Sequence, residues 1–186
     1  MANQPEWIPE YFEFSFGLSD EGRDPRSLPD PVEIDSRFVL RGSVDLVERH
    51  RDRGTLRVTD HKTGRNRSKP EWIIGGGAVL QPVLYSLVVE RGLGKSVEAG
   101  RLYYCTTPGG FGELPIPITA ATRAQGLDAL TIVDRAVEFG HLPADPQKDA
   151  CRWCDFRTVC GPDEERRVRM KPDGLRADLL ALRSMR

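Results

Sequence analysis

Val58-Thr59-Asp60-His61-Lys62-Thr63-Gly64 is the stretch on which the fold turns. The residues before it, Gly54-Thr55-Leu56-Arg57, open on a turn signal and run into β-branched side chains, which predicts a strand. Side chains alternate along a strand, so Leu56, Val58, Asp60 and Lys62 share one face. That face begins apolar and ends in a carboxylate and an ammonium, and burying such charges without partners costs several kcal/mol or more. Upstream, Phe38 to Glu48 also reads as a strand, with Arg51-Asp52-Arg53-Gly54 as the turn between the two. Asp45 and Asp60 lie equally far from the middle of that turn. In a simple hairpin they face each other, with Cβ atoms roughly 5 Å apart. Two carboxylates so close repel unless a cation lies between them. Oxygen ligands suit Mg²⁺ or Mn²⁺, and Mg²⁺ takes one or two carboxylates with water and phosphate completing its shell. Lys62 is close enough to orient a metal-bound water. A left-handed bulge at Gly54 is the alternative; it shifts the pairing by one and sets Asp45 opposite His61.

Downstream, a helix is expected from about Ala78 to Arg91, with Leu80, Leu84 and Leu87 toward the sheet. Gly75-Gly76-Gly77 supplies flexibility before it, and Pro82 falls near its first turn, where proline is tolerated. Gln81 and Tyr85 are four apart and share a face.

In this order, Gly42-Ser43-Val44-Asp45, Asp60-His61-Lys62-Thr63-Gly64 and Gln81-Pro82-Val83-Leu84-Tyr85 resemble the PD-(D/E)xK nuclease superfamily, most closely its RecB-like branch, which includes the nuclease domains of RecB and AddB. The resemblance implies a mixed α/β sheet flanked by helices, as in restriction endonucleases. It implies catalysis by Asp45, Asp60, Lys62, Gln81 and Tyr85, with Mg²⁺ or Mn²⁺ held by Asp45, Asp60 and the backbone carbonyl of His61. The implied substrate is DNA, single-stranded or with free ends, and a helicase subunit or domain is an implied partner. The competing reading of the hairpin, charges merely solvated on an exposed surface, is opposed by the apolar half of each strand.

The chain has 186 residues, room for one domain with a small appendage, and 39% hydrophobic residues provide a core. Its 27 Lys+Arg and 28 Asp+Glu nearly cancel, so contact with nucleic acid has to use a local patch. Arg65, Arg67 and Lys69, in the loop after Lys62, are the candidate phosphate clamp; a plain solvated loop is the alternative. No apolar run reaches membrane-spanning length and no signal peptide is visible, which predicts a cytoplasmic protein with no membrane partner.

Residues 8–17 predict a strand with Phe12, Phe14 and Phe16 on one face and Glu13 on the other. Glu13 resembles an acid of AddB-like domains, with a solvated edge charge as the other reading. Residues 18–36 read as a surface loop. Residues 97–107 predict another strand, 113–118 a short edge strand because of Pro115 and Pro117, and Thr119 opens a helix to about Phe139 with Leu127, Leu130, Ile132, Val133 and Val137 on its apolar side. RecB-like members usually carry a metal-binding histidine in an N-terminal helical region. His50, His61 and His141 do not fit that role and read as surface or capping residues, so the chain resembles the C-terminal part of a longer nuclease or a reduced member.

Cys151, Cys154 and Cys160 cluster as C-x2-C-x5-C. In a reducing compartment a metal or cluster is the better reading than a disulfide, yet three thiolates are one short of a closed site. The spacing is similar to the iron–sulfur staple of AddB, which implies a 4Fe-4S cluster whose fourth ligand is not found here; zinc, or three plain reduced thiols, are the alternatives. Cys105 reads as a small buried strand residue. The implied division is a nuclease core over 1–145, a cysteine segment over 146–165 and a basic, helical tail over 166–186. That tail tracks DNA, docks on a partner or is simply a solvated amphipathic helix. The rival for the whole chain is a non-catalytic DNA-binding or scaffolding module of a helicase-nuclease.

Overall fold

The hairpin forms in the simple register. In a computed structural model, which describes residues 6–18, 23–140, 144, 146, 149–161 and 163–186, Leu46 pairs with Thr59, Val47 with Val58 and Glu48 with Arg57. Gly54 does take a positive φ of 70°, but it closes the four-residue turn without shifting the pairing. In chain order the elements are β1 (Trp7–Phe16), β2 (Val32–Ile34), β3 (Phe38–Leu40), β4 (Gly42–His50), β5 (Leu56–Lys62), α1 (Gln81–Leu93), β6 (Val97–Tyr104), β7 (Glu113–Pro117) and α2 (Ala120–Glu138). Three short helices follow, α3 (Arg157–Cys160), α4 (Glu164–Arg169) and α5 (Ala177–Ser184). The main sheet has five strands in the order β1-β4-β5-β6-β7, and β2 and β3 make a separate pair. Only β5 and β6 run parallel, joined through α1. This is the mixed α/β fold of restriction endonucleases, with the prolines of β7 at the sheet edge as expected.

The core lies between the sheet and α1. Pro82, Val83, Ser86, Val88 and Val89 are buried, together with Leu56 and Val58 of β5 and Gly100 and Leu102 of β6. Gly100 is required there, because a Cβ at that position would stand 2.8 Å from the Cβ of Pro82. The expected face of α1 is therefore rotated. Leu87 is buried, but Leu80 and Leu84 are only half-buried, Leu84 turning toward Gly126 of α2. Thr119 caps α2 by accepting from the Thr122 amide, as its sequence predicts. Val133 and Val137, expected on the apolar side, are exposed; the buried residues of α2, Thr122, Gly126 and Ala129, lie in its first half.

Several other local expectations are corrected. Phe12 is 58% exposed, whereas Phe14 and Phe16 are buried. Glu13 adopts a positive φ of 49°, which resets the alternation of β1 and brings Tyr11 to the Phe14 face, their rings 5.3 Å apart. Glu13 itself is exposed and lies 3.9 Å from Arg23, an edge charge. The segment 18–36 is not merely surface: Val32 and Ile34 of β2 are buried with Phe38 of β3, and buried Asp24 accepts from the Phe12 and Arg26 amides. The strand expected from 38 to 48 breaks at Arg41. The three glycines 75–77 form a fixed turn instead of a flexible one: all have positive φ, and Ile74 and Gly76 donate to the carbonyls of Arg186 and Met185. The tail thus folds back onto the domain, with Leu182 against the core and Asp178 bound to Arg135 of α2. No helix is long and apolar enough to cross a membrane among the described residues.

Candidate active site

The site is built where β4 and β5 stop pairing. Their ladder runs to Leu46 and Thr59 and goes no further. Val44 and Val47 are both buried although three apart, so the alternation of β4 breaks between them, with no shift in its register against β1, and Asp45 lies in the break. Its carboxylate turns toward β5 and accepts the His61 amide at 2.6 Å, taking the place a β4 carbonyl would fill. The imidazole Nδ1 of His61 lies 3.7 Å from the same oxygen. A strand residue projects its N–H and C=O to the same edge, so the His61 carbonyl also faces this gap.

Asp60 is carried by the buried face of β5 and is only 3% exposed. Its Oδ2 lies 2.7 Å from Lys62 Nζ in an ion pair and has no well-aligned hydrogen-bond donor. Burial pushes the Asp60 carboxyl above the ordinary carboxylate range, contact with the Lys62 ammonium pulls it back, and the charge of Asp45 pushes it up again. Lys62 Nζ donates to Gln81 Oε1 at 2.5 Å, and Gln81 Nε2 donates to the Tyr85 hydroxyl at 3.4 Å. The Tyr85 ring rests edge-on against Phe16, centroids 6.2 Å apart. Five residues that the resemblance implies act together, Asp45, Asp60, Lys62, Gln81 and Tyr85, therefore lie around one gap.

This donor set fits a hard divalent cation. A buried carboxylate oxygen lacking a hydrogen bond, a second carboxylate close enough to repel it and a backbone carbonyl are all oxygen donors, and Mg²⁺ needs no more than one or two carboxylates from a protein. Among the described residues no three of His, Cys, Asp and Glu come together to hold a metal ion. Burial, then the charges of Glu164 and Glu165, and last those of Cys154 and Cys160, push the Cys151 thiol up; the three thiols do not converge as ligands, and a cluster does not fit them as they stand. Cys105 is not buried: β6 ends at Tyr104, and the thiol is exposed beside the Lys62 carbonyl, 3.6 Å away.

Arg65, Arg67 and Lys69 are exposed on the loop leaving β5, and none pairs with Asp45 or Asp60. His50 is buried and caps the hairpin turn: its Nδ1 accepts from the Asp52 and Arg53 amides at 3.2 Å and its Nε2 binds Glu6 at 2.8 Å. His141 lies outside the described residues.

Sequence reasoning missed the other face of the same strands. Glu48, 5% exposed, accepts two bonds from Arg57 at 2.8 Å, one from Thr59 at 2.7 Å and one from Arg101 at 3.1 Å. The signal was present, since Glu48 and Arg57 sit symmetrically about the turn just as Asp45 and Asp60 do.

A model of the PD-(D/E)XK nuclease superfamily matches residues 1–161. No curated protein matches the chain. Among solved structures, one described as "Crystal structure of SSO0001" is similar at 19% identity with a TM-score of 0.39, the match covering 72% of this chain and 56% of that one. The chain thus spans little more than half of that structure's length.

Proposed function

The chain belongs to the PD-(D/E)XK nuclease superfamily, and from that premise we propose that it is a divalent-metal-dependent deoxyribonuclease of the RecB-like exonuclease type. The observation that carries this reading is the unbroken contact chain from Asp60 through Lys62 to Gln81 and Tyr85, with Asp45 across the gap. Asp45, Asp60 and the His61 carbonyl would hold Mg²⁺ or Mn²⁺. When bound, the ion would acidify a water and neutralise charge on the phosphate.

The chain's own residues do the rest. An ammonium has three donors. Gln81 engages one of those on Lys62 and the ion pair with Asp60 holds Nζ in place, which leaves a donor to orient the water that attacks phosphorus. Because Gln81 Oε1 faces Lys62, its amide nitrogen is committed to Tyr85, and the Tyr85 hydroxyl can donate to a non-bridging phosphate oxygen. As the new P–O bond forms, the bond to the departing nucleotide oxygen breaks, and the preset donors meet the extra negative charge without reorganising. Arg65, Arg67 and Lys69 would draw the strand in. A helicase partner remains part of this RecB-like reading, and it does not enter the mechanism.

Two measurements test it. Purified protein should degrade DNA with Mn²⁺ or Mg²⁺ and stop with EDTA. Lys62→Ala should lower kcat about 10²–10³-fold, the usual loss for one transition-state donor. DNA binding with no cleavage under any divalent ion would instead leave the rival reading, a non-catalytic module.

A further inference from the structure

We propose that the cleft between the 69–78 segment and the end of the tail is a subsite for single-stranded nucleic acid, with Trp72 as its stacking platform. This inference rests on the nuclease reading above and adds to it where the strand lies. The cleft has a volume of about 560 Å³ and is lined by Lys69, Trp72, Gly75, Gly76, Arg183 and Arg186, with Glu71 its one acidic side chain. That size suits a splayed nucleotide or two and not a double helix.

Its position follows from the chain. The segment leaves the sheet at Lys62 and returns as α1 at Gln81, so both of its ends are active-site residues. Ala78 lines the cleft, and Gln81 is three positions further on, a Cα separation of at most roughly 11 Å. Trp72 is half-buried, its inner edge packed where a Cβ on Gly75 would come 2.9 Å from Cε3, and it still lines the cleft. Lys69 Nζ stands 5.7 Å from the ring centroid. An aromatic face flanked by cations is the combination that binds single strands without regard to sequence: bases stack on the ring and phosphates meet the charges. The positive-φ turn at Gly75–Gly77, tied to the Met185 and Arg186 carbonyls, holds the two walls in place.

The test measures binding of a fluorescent oligothymidylate, and of a blunt duplex of equal length, in EDTA. Trp72→Leu, which keeps apolar packing but removes the stacking ring, should weaken oligothymidylate binding about tenfold and leave the duplex unaffected, and Trp72→Phe should restore most of the loss. Lys69→Ala should lower the slope of log affinity against log salt by about 0.7. Unchanged oligothymidylate binding by Trp72→Leu overturns the proposal. So does an equal loss for both ligands that phenylalanine fails to rescue, which marks Trp72 as structural only. Cleavage is then measured on the same samples with Mn²⁺. Wild type that cleaves while Trp72→Leu binds normally removes the subsite and keeps the nuclease. Wild type that binds through Trp72 yet never cleaves removes the nuclease and keeps the subsite.

Discussion

Asp60→Asn is expected to lower DNA cleavage by roughly 10³-fold or more and, at neutral pH, to raise the melting temperature of the metal-free protein. Both effects have one origin. Burial raises the pKa of Asp60 in the folded state above its ordinary 3.8, despite the ion pair with Lys62. Between 3.8 and that raised value the folded chain holds more protons than the unfolded one, so Asp60 makes stability fall as pH rises through this window. Above the window the fold carries the whole penalty of a buried carboxylate. Asparagine removes it, so the gain of Asp60→Asn should be present at pH 7 and vanish below pH 4. On the proposed reading a divalent ion would relieve the same penalty in the wild type. At a hundred times its dissociation constant it should add about 2.7 kcal/mol, roughly 5–11 °C for a chain of this size. Thermal melts with and without Mn²⁺ check this. A Mn²⁺-induced rise of equal size in wild type and in Asp60→Asn would remove Asp60 from the metal site.

What the sequence made legible was what depends on strand and helix periodicity near one turn. Asp45, Asp60 and Lys62 were placed by symmetry about Arg51–Gly54 and by strand alternation; helical spacing put Gln81 and Tyr85 on one face, and only the resemblance to the PD-(D/E)xK superfamily set that face beside the site. The ladder register and the contacts of Lys62 agree with both. What was illegible depends on backbone conformation or on distant partners. A non-glycine residue at positive φ, Glu13, gives no sequence signal, yet it decides which phenylalanine of β1 is buried. Gly75-Gly76-Gly77 reads as slack when its neighbours in sequence are considered alone. More than a hundred residues later, Leu182 and the Met185 and Arg186 carbonyls turn it into a docking surface. Cys105 follows the same logic: a strand pattern predicts burial, but the strand ends one residue too early.

Glu48→Ala is expected to destabilise the domain by about 3–5 kcal/mol, because it strands two guanidinium groups that are themselves largely buried. With typical domain stabilities of about 5–15 kcal/mol, that is a large share of the total, and the melting temperature should fall by roughly 6–20 °C. Burial pushes the Glu48 carboxyl up, but bonds from Arg57 and Thr59 and the charge of Arg101 outweigh it, so its pKa lies below the ordinary value of 4.5. Glu48 therefore contributes stability that is fully present above pH 4.5 and is lost as pH falls through its folded pKa. The opposite sign at Asp60 separates the two carboxylates experimentally. Acid denaturation should sharpen through Glu48 and not through Asp60, and Glu48→Ala should flatten the acid limb of the stability profile. The position of this clasp gives it a second consequence. Thr59, bonded to Glu48 and to Arg101 at 3.0 Å, is the last residue of β5 paired with β4 before the strands part. Glu48 thus fixes the point from which Asp45 and Asp60 diverge. Cleavage by Glu48→Ala, assayed at least ten degrees below its own melting temperature, should still be impaired. Full activity there would show that the clasp holds the sheet together without setting the gap.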